Sequence, residues 1–130
     1  MIAAQYQVGK ACENVAKRYF AAFNAHAFDA AAALFATEGA LHPPFEAAIV
    51  GQAAIARYLG QEAGQMQVYP DEPYRYDGES SQLHAIGYVD ATAFKVGVEW
   101  TFVFTNAIEI QSLSIRLRAS MKELLAIRSA

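Results

Sequence analysis

Apolar residues recur every three or four positions through the first part of the chain. From about Gln5 to Ala25, Val8, Cys12, Val15, Tyr19 and Phe23 form one stripe, while Lys10, Glu13, Asn14, Lys17 and Arg18 hold the opposite side. That spacing matches a turn of about 3.6 residues and predicts an amphipathic helix. The stretch NAHAFD interrupts it, and Phe28 to Ala36 reads as a short second helix stopping near Gly39. In LHPPFEAAIVG, from Leu41 to Gly51, Pro43 and Pro44 lack backbone donors and hold φ in a narrow range. An extended, rigid, apolar wall is expected there. GQAAIARYLGQEAG then predicts a third helix carrying Ile55, Tyr58 and Leu59, ended by Pro70 and Pro73.

After Tyr74 the period changes to two. In KVGVEWTFVF, Val96, Val98, Trp100, Phe102 and Phe104 point to one face, and Lys95, Gly97, Glu99, Thr101 and Val103 to the other. Leu83, Ala85, Gly87, Val89 and Ala91 give a second alternating strand. The third runs from about Ile108 to Leu117. Ile108 and Ile110 hold one phase, Leu113, Ile115 and Leu117 the other, and the slip near Ser112 predicts a bulge that bends the sheet. Ser120 and Glu123 stand three apart as a capping box, which predicts a short terminal helix. Helices first, then a curved antiparallel sheet, then a helix: the expected class is α+β, with the sheet wrapped around the helices.

Composition narrows this picture. A chain of 130 residues fits one domain, here 1–130, able to bury roughly 68 % of its unfolded surface. It is 55 % hydrophobic, yet no apolar run approaches the ~20 residues needed to span a bilayer. Stable membrane insertion is therefore not expected. MIAAQYQVGK lacks the pattern of a signal peptide, and the lone Cys12 suits a reducing cytoplasm. Net charge is −3 with the charges scattered, which argues against a nucleic-acid partner. His26, His42 and His84 share no metal-ligand spacing, so no metal site is expected.

RYFAAFNAHAFDAAAALFATEGAL resembles the opening of the NTF2-like superfamily, a cone-shaped α+β fold used by binding proteins and enzymes. GALHPPFEAAIVGQAAIARYLGQEAGQMQVYP, VEWTFVF and ASMKELLAIR together resemble a narrower family: the C-terminal domain of the cyanobacterial orange carotenoid protein and its free-standing homologues. The likeness runs from about Val15 to Arg128. It implies a ketocarotenoid ligand of the canthaxanthin or echinenone type and no enzymatic activity. Storage, or transfer to a helical carotenoid-binding partner protein, would be the function, with photoprotective quenching of excited states or singlet oxygen and a homodimer as the assembly. In that family a helix Tyr and a strand Trp bind the keto oxygen; the matching residues here are Tyr19 and Trp100. Before Trp100 the family has a longer hairpin with a second Trp, whereas DATAFKVG is shorter and offers Phe94. Glu62 matches a family carboxylate that pairs with an Arg of the helical domain.

The residues agree with that assignment on their own terms. Tyr19 and Trp100 lie on apolar faces, where a buried donor without an acceptor costs ~1–3 kcal/mol, and a ketone would satisfy both. Val15, Phe23, Pro43, Pro44, Val98, Phe102, Ile115 and Leu117 would complete the lining. Two alternatives stand beside this reading. A ketosteroid isomerase or SnoaL-type enzyme also uses a helix Tyr against a carbonyl, but its carboxylate base falls near Pro43, which cannot act. Glu99 alternates to the face opposite Trp100, and Asp29 is explained by a helix start. The other alternative is a ligand-free dimerisation module, its cavity filled by its own side chains.

Overall fold

The computed structural model describes residues 2–118 of the chain. Helix α1 (Ile2–Asn24) is followed by the single turn of α2 (Phe28–Ala32), strands β1 (Phe35–His42) and β2 (Ile49–Val50), and helix α3 (Gln52–Glu62). Five strands complete the order: β3 (Gln67–Pro70), β4 (Arg75–Asp77), β5 (Gln82–Asp90), β6 (Lys95–Phe104) and β7 (Ile110–Leu117). They form one sheet in the order β2-β1-β7-β6-β5-β3, with β4 also on β5. Every pairing is antiparallel except β1 with β7.

The inner face of β6 is the one the alternation marks. Val98, Trp100, Phe102 and Phe104 are buried, and the buried stripe of α1 lies on them. Phe20 of that helix meets Trp100 edge-on at 4.9 Å and Phe102 at 5.6 Å, the geometry ring quadrupoles favour. The end of α1 is fixed to β3 by Asn24, whose side-chain amide donates to the Val68 carbonyl at 2.8 Å while its oxygen accepts from the Val68 N–H at 2.7 Å. The predicted bulge is present. Val103 pairs with Ser112 and Phe104 with Ile110, so Gln111 is left over and the sheet bends there.

Three expectations are corrected. Pro70 and Pro73 do not end α3, which stops at Glu62, and Pro70 closes strand β3. Helix α2 stops at Ala32, and Phe35–His42 is a strand, not the end of a helix. The alanine run favours helix locally, but pairing with β7 on one side and β2 on the other satisfies the backbone and buries Phe35 and Leu41. Gly39 is no helix stop. A Cβ there would stand 2.6 Å from the Ile110 carbonyl oxygen, so only glycine allows β7 this close. The proline segment is not extended throughout either. Pro44 and Phe45 form a turn, Phe45 takes φ 63°, and β2 folds back on β1 through Ala40–Val50 and Leu41–Ile49. The prolines stiffen a hairpin turn. The predicted helix from Ser120 lies outside the described residues.

Candidate functional site

The curved sheet does not close on the helices at one end, and a cavity of about 600 Å³ remains there. Helix α1 gives it Tyr19 and Phe23, β1 gives Leu41, the hairpin turn gives Pro43 to Glu46, and α3 gives Tyr58, Leu59 and Glu62. The far walls come from Met66, Val68, Val89, Ala91 and Phe94, from Val96, Val98 and Trp100 of β6, and from Ile115 and Leu117 of β7. Its size is that of a small-molecule site, and its walls are almost wholly apolar.

Eight of the ten residues singled out from sequence stand on this wall: Tyr19, Trp100, Phe23, Pro43, Pro44, Val98, Ile115 and Leu117. Val15 and Phe102 do not. Phe102 shares its face with Trp100 but lies two residues further into the cone, fully buried against Tyr19, Phe20 and Phe104. Val15 is one turn of α1 before Tyr19 and packs half-buried on the core. Periodicity names a face, but not how far along it the cavity reaches. Other wall residues were missed. Val89 and Ala91 followed from the alternation of β5, and Tyr58 and Leu59 from the apolar positions of α3. Phe45 and Glu46 carry no signal in the sequence, because two prolines predict an extended segment and not the turn that places them.

The polar groups of the cavity are few. Tyr19 and Trp100 are each 1 % exposed. Among the described residues neither the Tyr19 hydroxyl nor the Trp100 indole N–H has a hydrogen-bond partner. Burial pushes the Tyr19 phenol far above its ordinary range, so it remains a protonated donor. The Tyr58 hydroxyl donates to Glu46 at 2.7 Å and ties α3 to the turn; burial and then that carboxylate raise its pKa as well. Among the described residues the cavity thus has two donors without acceptors, Tyr19 and Trp100, and an acidic rim of Glu46 and Glu62. Among the described residues no cluster could hold a metal ion, and Cys12 is a buried core thiol whose pKa burial raises.

The buried tyrosines predict how stability responds to alkali. An unfolded tyrosine loses its proton near pH 10.0, whereas burial, then Glu72 and Glu13, push Tyr74 up to about 12, and Tyr19 and Tyr58 are raised too. Above pH 10.0 the unfolded chain therefore holds fewer protons than the native one, and rising pH favours unfolding. The contribution of these groups is complete below that pH and is lost as pH climbs through their folded range. The urea midpoint is expected to fall steadily between about pH 10 and 12. A flat midpoint would show that these tyrosines titrate as they do in the unfolded chain.

Three comparisons bear on this geometry. The family model described as a SnoaL-like domain matches residues 16–111. The Orange carotenoid-binding protein of Synechocystis sp. is 33 % identical over 113 residues, which cover 82 % of this chain and 36 % of that protein. The Orange Carotenoid Protein of Anabaena (Nostoc) sp., solved binding canthaxanthin, matches with a TM-score of 0.73 at 30 % identity, over 86 % of this chain and 38 % of its own. The chain therefore spans little more than a third of the length of these relatives. SalBIII, an epoxide hydrolase/cyclase-like enzyme of pyran ring formation in the polyether salinomycin, matches with a TM-score of 0.72 at 16 % identity, over 85 % of this chain and 92 % of its own. That likeness is one of fold.

Proposed function

Because the chain belongs to the SnoaL-like domain family, has the NTF2-like fold and resembles the C-terminal domain of the orange carotenoid protein, we propose that it binds a ketocarotenoid without catalysing a reaction. The observation that carries this reading is the pair of donors, Tyr19 and Trp100, on the wall of an apolar cavity with no hydrogen-bond partner among the described residues. A conjugated ketone on a hydrocarbon ligand accepts from both at once and leaves the remaining wall in apolar contact. Canthaxanthin and echinenone carry such a ketone.

The pigment would be stored here or passed to a helical carotenoid-binding partner, and quenching of excited states or singlet oxygen follows from its polyene. A polyene with a ring at each end is a rod, and a cavity closed at Tyr19 and Trp100 takes only one end. A homodimer, mouth to mouth, covers the other end. The lone, buried Cys12 suits a reducing cytoplasm.

The test is expression of the chain in two hosts, one making canthaxanthin and one stopping at β-carotene, which lacks the ketone. A red-shifted pigment is expected to co-purify from the first host and not from the second, because hydrogen bonds to a conjugated carbonyl lower its excited state. Equal pigment from both would remove the carbonyl from the argument. A colourless protein from both would end the carotenoid reading.

A further inference from the structure

The outer face of the sheet, away from the cavity, carries a row of side chains with one place left empty. Tyr69 of β3 pairs with Tyr88 of β5, and Tyr88 pairs with Gly97 of β6. Just past β7, the Arg118 N–H donates to the Gly97 carbonyl at 2.8 Å. The chain neighbours of these four, Val68, Val89, Val98 and Leu117, all line the cavity, so the four themselves alternate to the outer face. The two tyrosine rings stack at 4.8 Å with 21° between their planes, matching the strand spacing of about 4.8 Å. Tyr69 covers the β3 side of the Tyr88 ring, and the other face of that ring turns toward Gly97. One more flat group at the same spacing would stand over Gly97, with Arg118 beyond it.

Nothing within the chain requires glycine at this position. A Cβ on Gly97 would meet the Arg118 Cβ and the Gly87 carbonyl oxygen at 3.8 Å, which is ordinary contact. Gly87 differs, because a Cβ there would collide with the Tyr69 carbonyl oxygen. Gly97 lies within unbroken pairing from Gln82–Val103 to Asp90–Lys95, and its φ is not left-handed. Glycine weakens a strand interior; with neither a bulge nor a close backbone to explain it, the use that remains is the close approach of a ligand.

Charge narrows the class of that ligand. The Lys95 ammonium stands 5.4 Å from the centre of the Tyr88 ring, and neither Lys95 nor Arg118 forms an ion pair among the described residues. Across the strands Asp90 stands opposite Lys95 and Glu99 opposite Arg116, so Arg118 is the cation left over. One surplus positive charge beside an open ring face suits a flat ring bearing a single carboxylate. The ring stacks on Tyr88 while the carboxylate reaches the guanidinium.

We propose that the notch over Gly97 binds a small aromatic carboxylate, stacked on Tyr88 and held by Arg118 and Lys95. It lies on the opposite face of the sheet from the cavity and stands whether or not the cavity holds a pigment.

The full chain is titrated at low ionic strength with three compounds. Benzoate has both features, cyclohexanecarboxylate keeps the charge without the flat ring, and benzamide keeps the ring without the charge. The backbone amide shifts of Tyr88, Gly97 and Arg118 report binding. Benzoate is expected to saturate them with a Kd about two- to fivefold below either control, the worth of one exposed cation–π contact or ion pair. Gly97→Val fills the notch with a residue that favours strands, so its urea midpoint should hold or rise while benzoate binding is lost. Arg118→Gln should weaken benzoate about two- to fivefold and leave benzamide unchanged. Equal affinity for the three compounds would overturn the proposal, as would benzoate shifts that never saturate. Benzoate binding that persists in Gly97→Val, or is unchanged in Arg118→Gln, would overturn it too.

Discussion

Tyr19→Phe and Trp100→Phe are each expected to weaken ketocarotenoid binding by about five- to 150-fold, the factor that follows from losing one buried donor worth about 1–3 kcal/mol. The two losses are coupled. With one donor gone, the carbonyl still has the other; with both gone, it is buried with no partner, so the double variant should lose more than the product of the single effects. Whatever pigment the single variants retain is expected to absorb further to the blue. The ligand-free protein should respond in the opposite sense. In Tyr19→Phe the ring keeps its edge contacts with Phe35 at 6.1 Å and Phe102 at 6.0 Å, and what is removed is a hydroxyl on the cavity wall without a partner among the described residues. Its urea midpoint is expected to stay level or rise. A variant that binds pigment less and yet is no less stable identifies the hydroxyl as a group kept for a ligand. A midpoint lowered by about 1 kcal/mol or more would instead assign it a structural partner and remove it from the site.

How much of this was legible beforehand depends on the residue. The apolar stripe of α1 and the alternation of β6 were readable because their periods are long and unbroken, and they delivered Tyr19 and Trp100 to one interior. The bulge was readable because a phase slip between Ile110 and Leu113 can hardly mean anything else in a strand. Strand β1 was not. FATEGALH has neither period, and its state is decided by β7, which lies about 70 positions away in sequence. From sequence Gly39 reads as a helix stop because glycine serves many needs; its actual need, a close carbonyl, exists only once the sheet has formed. The proline turn was half legible. Its stiffness follows from the residue type, but its reversal depends on Phe45 at φ 63°, a conformation bulky side chains seldom adopt. That reversal aims Phe45 and Glu46 at the cavity, and for this reason the acidic rim and its bond to Tyr58 were missed.

Phe102→Ala is expected to show where the site ends. Phe102 is fully buried and packs against Tyr19, Phe20 and Phe104. Truncating such a side chain costs about 3–5 kcal/mol, made up of lost transfer energy and the cavity left behind. For a single domain that is a large part of a stability of about 5–15 kcal/mol, so the yield of folded protein should drop and the urea midpoint fall sharply. Yet the residue lies off the cavity wall, and Trp100, two positions away, keeps its edge contact with Phe20. The fraction that remains folded should bind pigment with the wild-type band position. Val98→Ala, on the wall, provides the contrast: a smaller loss of stability with a shifted or weakened band. If Phe102→Ala moved the band as far as Val98→Ala, the aromatic layer beneath Tyr19 would belong to the site. If it moved only the midpoint, the boundary between core and cavity runs between Trp100 and Phe102.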